Sequence, residues 1–435
     1  MKISVIGLGK LGLPLLTTIA SKGFPVWGFD INRSIVENLK VGLTELNETG
    51  LIDLLKDSKA NIHATESLKE AVLNSEITFI ITPTPSQKNG YFSLKFINQA
   101  VKSIGRALKK KKIYHLIVVV STMMPGSTDQ VRELLEKSSN KVCGRDFGLC
   151  YNPEFIALGS VIYNLLNPDF ILIGESNQKA GDILQKFYKK YCENKPKIAR
   201  MNFINAELSK ISVNTFITTK ISYANMLSEI CEKLPGGNVD IVTETIGLDS
   251  RIGRKYLKGG PAFGGPCFPR DNIAFISLAK NLKSSFSIAS STHKTNLRQT
   301  ERLIEVVTKY INKNSTVGIL GLSYKPFTDV VDESPGLLLA QALKQAGVRL
   351  NIHDPLALEN AEKILGSNGV KYFENLKNFV ANSDIIVITT NWPEFKTINV
   401  SWFDSEKKVV IDPWRMLRKN QLTQNITYIP LGLNL

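Results

Sequence analysis

The stretch with the most chemistry in it is Gly264-Gly265-Pro266-Cys267-Phe268-Pro269-Arg270-Asp271, where glycines and prolines surround one cysteine and a carboxylate follows four residues on. A cysteine is usually a small buried packing residue. Cys143, Cys150, Cys192 and Cys231 are read that way from their surroundings. Cys267 is different, because its neighbours show no apolar period and lie in a Gly/Pro-rich loop, Gly259–Pro269. A thiol is a few per cent thiolate at neutral pH and intrinsically nucleophilic, and a nearby Lys or Arg raises that fraction. The glycines let the backbone close around a ligand. Five scattered cysteines without a CxxC pair suggest neither a disulfide framework nor a zinc site, and no metal is expected. A reducing, cytoplasmic setting fits this usage.

A second chemical motif opens the chain. Gly7-Leu8-Gly9-Lys10-Leu11-Gly12 follows the apolar run Lys2–Ile6 and precedes a helical pattern, the context a dinucleotide-binding GxGxxG requires. Gly7 permits the tight turn, Gly9 the approach of a diphosphate, and Gly12 close helix–strand packing. The anion then meets the N–H groups of a helix start. Asp30 closes the next strand at the spacing, about 20 residues on, where a carboxylate takes a ribose 2′-hydroxyl. It would repel a 2′-phosphate, so NAD is expected over NADP, with Arg33 close enough to soften the preference. Pro83-Thr84-Pro85 and Ser121-Thr122 each follow an apolar strand and are candidate cofactor-facing loops. A hydride acceptor and a nucleophilic cysteine together suggest one kind of reaction. An alcohol oxidised to an aldehyde is trapped as a thiohemiacetal, a second oxidation gives a thioester, and water releases the acid. Two NAD serve each four-electron oxidation.

These residues must be carried by strands and helices, and the pattern shows which. The strands expected first are Lys2–Ile6, Val26–Asp30, Ile77–Thr82, Leu116–Ser121, Leu149–Tyr151 and Phe170–Gly174. Helical stretches at Leu11–Ser21, Ser34–Val41, Leu94–Leu108, Ser127–Lys137 and Lys179–Cys192 separate them. Such alternation implies a parallel sheet covered on both faces. The character changes near Lys195–Pro196. Helical patterns then run over Asn205–Lys233 and Ser285–Tyr310, on either side of the cysteine loop. From Thr316 the alternation returns, with strands expected at Thr316–Gly321, Arg349–Asp354, Asp384–Thr390, Lys408–Asp412 and Thr427–Pro430. The expected architecture is α/β: two doubly wound Rossmann-like domains joined by a long central helix and a helical dimerisation domain. The expected boundaries are 1–200, 201–310 and 311–435. No stretch approaches the ~18 apolar residues of a membrane span, and the glycines after Ile6 argue against a signal peptide. The net charge of +15 is read as a solvated basic surface that draws in an anionic substrate. No nucleic-acid fold signature accompanies it. The run Lys109–Lys112 is expected to be a helix end meeting solvent.

In order, the chain carries GLGKLG at Gly7–Gly12, FD at Phe29-Asp30, PTP at Pro83–Pro85, STMMPGST at Ser121–Thr128 and NPEF at Asn152–Phe155. ELSKISVNTF at Glu207–Phe216, KISYAN at Lys220–Asn225, SRIGRKYLKGG at Ser250–Gly260, FGGPCFPRD at Phe263–Asp271 and GLSYKPFTD at Gly321–Asp329 follow. Over nearly its whole length the sequence resembles the UDP-glucose/GDP-mannose dehydrogenase family, which oxidises C6 of a nucleotide sugar to a carboxylate. The resemblance implies roles residue by residue. Cys267 is the nucleophile. Lys210 stabilises oxyanions, and Asn214, one helical turn on, holds the sugar or a water. Asp271, Thr122 and Glu154 position or deprotonate water and the alcohol. Phe155, Arg251, Tyr256, Lys258, Gly259, Gly264, Tyr324 and Lys325 join Glu154, Lys210 and Asn214 around the nucleotide sugar. Arg251 is of the type that reaches across a dimer interface, which implies a homodimer. On the cofactor side the set is Gly7 to Gly12, Asp30, Arg33, Pro83, Thr84, Ser121, Thr122 and Arg270. The chain departs from the family pattern at Leu158, where a second glutamate is usual, and at Asp332, where an arginine is. It departs again at Phe170 (arginine), Pro266 (serine) and Arg270 (lysine).

The reaction these readings favour is UDP-glucose to UDP-glucuronate. UDP-N-acetylhexosamine or GDP-mannose oxidation are the near alternatives. Two other classes share the two-domain plan: a two-electron hydroxy-acid dehydrogenase, which needs no cysteine, and a non-catalytic NAD-binding scaffold, which Leu158 and Asp332 would suit.

Overall fold

The computed structural model describes residues 1–403, 407–418, 422 and 425–434. The chain divides into two compact units, Met1–Ser212 and Val213–Leu435. The first is built on strands β1 (Ile3–Ile6), β2 (Val26–Phe29), β3 (Ile62–Ala64), β4 (Ile77–Ile80), β5 (His115–Val119), β6 (Phe147–Tyr151), β7 (Phe170–Glu175) and β8 (Lys197–Met201). They form one eight-stranded sheet in the order β3-β2-β1-β4-β5-β6-β7-β8. Alternate residues feed opposite cores, as a sheet buried on both faces requires. Ile3, Val5, Phe79 and Val118 pack in one cluster, and Ile6, Ile80, Ile117 and Val119 in the other. The expectation of a purely parallel sheet is corrected at one joint, because β6 and β7 pair antiparallel.

The second unit holds a six-stranded, wholly parallel sheet in the order β11-β10-β9-β12-β13-β14. Its strands are β9 (Thr316–Leu320), β10 (Arg349–His353), β11 (Val370–Tyr372), β12 (Ile385–Ile388), β13 (Lys408–Asp412) and β14 (Ile426–Pro430). Counted within each unit, both sheets follow the doubly wound order 3-2-1-4-5-6, which the first then extends. In such sheets ligands bind beyond the carboxyl ends of the strands where the order reverses. Here that is beside β1 and β4, and again beside β9 and β12.

The middle of the chain is helical, with Phe203–Lys233, Val239–Gly247, Phe268–Asn281 and Ser287–Thr308 separating the two sheets in sequence. The 31-residue helix Phe203–Lys233 belongs to the first unit as far as Ser212 and to the second beyond it. Among the described residues no helix is long and apolar enough to cross a membrane.

Several elements escaped the sequence pattern. Strands β3 and β11 are three residues each, too short to show a period. Strand β8 is only partly buried and carries Lys197 and Arg200. The run Lys109–Lys112 is not wholly solvated: Lys111 is buried, with Nζ donating to the carbonyls of Val72, in the last turn of the helix Leu68–Asn74, and of Ser75, its C-cap. A cation suits the carbonyl end of a helix, and burial lowers this lysine's pKa to about 8.

Candidate active site

The dinucleotide turn has the geometry its glycines imply. Gly7 has φ +97°, and a Cβ there would lie 2.2 Å from the Ile81 carbonyl oxygen. A Cβ on Gly12, at the start of the helix Gly12–Ser21, would lie 1.8 Å from the Gly7 oxygen. Gly9 is the opposite case, since a Cβ there would meet nothing within 4 Å. Nothing in the protein therefore demands glycine at position 9, whereas an approaching diphosphate would. Asp30, just past β2, accepts from Leu8 N at 2.7 Å and Asn32 N at 2.8 Å and stays partly exposed. These residues fit NAD. Arg33 points into solvent, 3.9 Å from Glu66. Beyond β4 and β5 the two candidate loops are tied together. Ser121 Oγ donates to Thr82 O at 2.7 Å, and Thr84 Oγ1 donates to the Thr122 carbonyl at 2.9 Å. Pro83 is exposed beside them.

Glu154 and Phe155 follow β6. Lys210 Nζ donates to the Glu154 carbonyl oxygen at 2.7 Å and lies 4.6 Å from the Phe155 ring centroid. Burial pushes the Glu154 carboxyl up to about 7, against the opposing pull of Lys210 and a Tyr188 hydroxyl at 3.4 Å. A carboxyl titrating there can take or give a proton near neutral pH. Two departures from the family pattern acquire a physical account. Phe170 packs its ring 4.8 Å from Phe155, and Leu158 packs against the first core cluster. Glu48, from a distant loop, accepts from Gly159 N at 2.9 Å and Val161 N at 2.8 Å. It thereby satisfies the start of the helix Val161–Leu166, whose own cap Ser160 makes no side-chain bond.

Glu207 is a residue that sequence reasoning quoted in a motif but gave no role. It is fully buried and accepts from Gly126 N at 2.7 Å, Thr128 N at 2.7 Å and Thr128 Oγ1 at 2.6 Å. Glu207, Lys210 and Asn214 stand at i, i+3 and i+7 on one helix, so they form one stripe. In the first unit that stripe grips the segment after Thr122 and the segment of Glu154. The spacing was the signal available in the sequence.

In the second unit Asn214 Nδ2 donates to Asp271 Oδ2 at 2.6 Å, and Asp271 N donates to the Cys267 carbonyl at 2.8 Å. Asp271 is 1% exposed; its Oδ1 has no hydrogen-bond partner and lies 3.6 Å from Arg270 Nε. That oxygen can accept from a water or a substrate hydroxyl. The sequence reading of Cys267 as a mid-loop residue is corrected, because it is the N-cap of the helix Phe268–Asn281. The loop residues before it lack apolar period, while the following helix begins at once with Pro269 in its first turn. Cys267 is exposed, and a helix start favours negative charge beside it. Cys150 and Cys231 are buried as expected; Cys143 and Cys192 are only partly so. The cysteine loop is held from the segment after β9. Gly265 N donates to the Asp332 carbonyl at 2.9 Å, a Cβ on Gly264 would lie 2.1 Å from the Glu333 oxygen, and Tyr324 packs on Gly265. Asp332 serves this loop through its backbone, so its side-chain type is not what builds it. Lys325, next to Tyr324, is partly buried.

A cavity of about 470 Å³ lies beyond β12 and β13, lined by Lys258, Asn391, Lys396, Trp414, Met416 and Arg418. Arg415 also lines it but is spent on structure. Its side chain bonds Asp240 at 2.7 and 2.9 Å, the Gly259 carbonyl at 2.7 Å and the carbonyls of Pro413 and Leu431. Tyr256 is half-exposed, in a left-handed conformation at φ 62°, with its ring 6.2 Å from that of Phe268. Arg251 is not brought to these groups. It is 87% exposed and paired with Asp249 at 2.6 Å.

Residues 1–192, 204–298 and 318–419 match the NAD-binding, central and UDP-binding domains of the UDP-glucose/GDP-mannose dehydrogenase family. The chain belongs to this family. It is 34% identical over 404 residues to the UDP-glucose 6-dehydrogenase TuaD of Bacillus subtilis, covering 92% of this chain and 85% of that one. A solved UDP-glucose dehydrogenase from Pyrobaculum islandicum superposes with a TM-score of 0.91 at 32% identity, covering 99% and 98% of the two chains. A UDP-D-ManNAc dehydrogenase from Pyrococcus horikoshii does so with a TM-score of 0.85 at 26% identity, covering 99% of each. The chain is thus an NAD-binding nucleotide-sugar dehydrogenase of the UDP-glucose dehydrogenase type, and its UDP-binding domain implies a nucleotide-sugar substrate.

Proposed function

We propose that this protein oxidises UDP-glucose to UDP-glucuronate, using Cys267 as a covalent nucleophile. The observation that carries the covalent route is Cys267 exposed at a helix start with the Asn214–Asp271 pair bonded to its own turn. UDP-glucose is preferred because TuaD, at 34% identity, and the Pyrobaculum islandicum protein, at 32%, are named for that sugar.

NAD, when bound, supplies the hydride acceptor; Gly7 to Gly12, Asp30, Thr84, Ser121 and Thr122 would hold it. The chain's own residues do the rest. Glu154, titrating near neutrality, removes the alcohol proton directly or through a water positioned with Thr122. The Cys267 thiolate adds to the aldehyde carbon, and the Lys210 ammonium and Asn214 amide stabilise the oxygen as charge develops on it. Loss of hydride from the thiohemiacetal carbon to a second NAD, with loss of the hydroxyl proton, would leave a thioester on Cys267. Asp271 Oδ1, without a hydrogen-bond partner, orients the water that cleaves it to acid and thiol. Tyr324, Lys325, Lys258 and Tyr256 hold the nucleotide sugar, with Phe155 against the sugar. The exposed Arg251 and the exposed apolar residues Phe216, Tyr223 and Met226 on the long helix suit a homodimer in which Arg251 serves the partner's site. Three domains with boundaries near 200 and 310 are part of this reading.

Turnover of a panel of UDP- and GDP-sugars, followed as NADH, tests it. UDP-glucose with two NADH per acid is expected. A ratio of one sinks the double oxidation, and preference for an N-acetylhexosamine or for GDP-mannose replaces the substrate.

A further inference from the structure

Two buried polar side chains meet behind Glu154. Asn152 directly follows β6, and its backbone N donates to the Val119 carbonyl at 2.8 Å. Its Nδ2 donates to the Leu172 carbonyl in β7 at 2.8 Å. A carbonyl can only accept, so this bond fixes the amide and leaves Oδ1 to face the other way. There Oδ1 accepts from the hydroxyl of Tyr188, on the helix Gln178–Tyr191. Asn152 and Tyr188 are each 1% exposed, and the Tyr188 ring lies 5.1 Å from that of Phe187 and 6.0 Å from that of Tyr191. Neither side chain has room to swing away. The same hydroxyl reaches Glu154 Oε1, but only at 3.4 Å. A phenol has one hydrogen to give, and Asn152 Oδ1 is the nearer of its two acceptors.

We propose that Asn152 is a positioning residue for Glu154: by holding the Tyr188 hydrogen it denies the carboxylate a full hydrogen bond and keeps it a strong proton acceptor. The proposal rests on Glu154 as the base in the reading above and adds the pair that tunes it. A hydrogen bond to the charged form of a carboxyl favours that form, so withholding one favours the neutral acid. The direction is the one in which burial already moves Glu154. The titratable groups that face it are Lys210, on the helix Phe203–Lys233, and Tyr188, Tyr191 and Cys192, at the end of the helix Gln178–Tyr191. Lys210 pulls the carboxyl down by its charge. Burial pushes the other three up, so they stay neutral while Glu154 titrates.

A carbon-13 NMR titration of the full chain, labelled at the glutamate carboxyl carbons, reads the Glu154 midpoint without turnover; Glu154→Gln identifies the signal. Asn152→Leu removes the competing acceptor and frees the hydroxyl for Glu154, so the midpoint should fall by about one pH unit or more. Because that variant also strips the Leu172 carbonyl of its donor, NAD binding checks that it is folded. Tyr188→Phe keeps the Asn152–Leu172 bond and should leave the midpoint within about half a unit of wild type. Combining Tyr188→Phe with Asn152→Leu should cancel the fall. An unmoved midpoint in folded Asn152→Leu overturns the proposal. So does a rise of about one unit in Tyr188→Phe, which would mean that the hydroxyl already serves the carboxylate in full. The acid limb of kcat/KM with UDP-glucose should follow the NMR midpoint in each variant. A midpoint that moves as expected while the limb stays put upholds the coupling and overturns Glu154 as the base.

Discussion

The two sheets share an order, a turn and a carboxylate, yet only one of them leaves that carboxylate partly exposed. In the first unit Gly7 and Gly12 pack against each other, and Asp30 braces the loop while remaining partly exposed. In the second, Gly321 has φ +97°, and a Cβ on Gly336 would lie 2.1 Å from its carbonyl oxygen, the same contact in the same place. Asp354 follows β10 as Asp30 follows β2. There the likeness ends. Asp354 is 1% exposed and accepts from Leu322 N, Ser323 N and Oγ, Leu356 N and Ala357 N at 2.7–2.9 Å. The segment that separates Gly321 from Gly336 bonds Asp354 through Leu322 and Ser323 and holds the cysteine loop through the Asp332 carbonyl. One frame thus serves twice, once with its carboxylate available to a ribose and once with it consumed in structure.

The largest expected effect lies in neither sheet. Cys267→Ala should lower acid formation by roughly 10⁴-fold or more while NAD binding persists; product assay and NAD titration check it, and full activity would return the chain to the two-electron class. Next come the glycines. Gly9→Val, entering open space, should fold normally yet lose NAD affinity by about a hundredfold, read by NADH or NAD titration. Gly336→Val should instead lower Tm sharply, because its Cβ has nowhere to go. Gly12→Val, which meets the Gly7 oxygen as Gly336→Val meets that of Gly321, should lower Tm likewise, and a Gly9→Val that did the same would remove the reason for a glycine kept for the diphosphate. The carboxylates sharpen the contrast of the two sheets further. Asp354→Ala strands several buried donors and should cost about 3–5 kcal/mol in denaturant unfolding, whereas Asp30→Ala should mainly erase the preference for NAD over NADP. Glu207→Gln should lower kcat about tenfold and weaken NAD binding no more than a few-fold, since it loosens the segment after Thr122 and leaves the glycine turn intact. A fall in Tm without a fall in kcat would make Glu207 merely structural.

The smallest effect is one of pH. Because the Glu154 carboxyl titrates near 7, kcat/KM should rise through neutrality as it ionises, and Glu154→Gln should lose that limb. The sign for stability runs the other way. A carboxyl whose pKa is higher folded than unfolded contributes fully below the unfolded value and loses that contribution as pH rises through the folded one. Between the ordinary carboxyl range and pH 7, Tm of wild type should therefore fall relative to Glu154→Gln.

Much of the scaffold was legible because its signals are local. The apolar runs of β1, β4, β5, β9 and β12 announce buried parallel strands, and GLGKLG announces its turn. Lys210 and Asn214 declare one helix face. Short strands such as β3 and β11 carry no period, and the second glycine turn is disguised because Gly321 and Gly336 are far apart in sequence. Glu48 was silent, since nothing near it in sequence tells what it touches, and Glu207 was signalled only by its spacing to Lys210 and Asn214.

Sequence by itself determined the residue types that chemistry needs: a nucleophile, carboxylates, a lysine, and a glycine turn at a strand end. Only the tertiary structure decided their state. It put Cys267 on a helix start, raised Glu154 towards neutrality, consumed Asp354 and Arg415 in structure, and turned the Trp414 ring to a cavity wall. The reason is physical. Covalent spacing fixes which side chains are neighbours along a helix or strand, but burial, charge and hydrogen-bond partners come from segments a hundred or more residues away, as Glu48 shows for Gly159 and Val161.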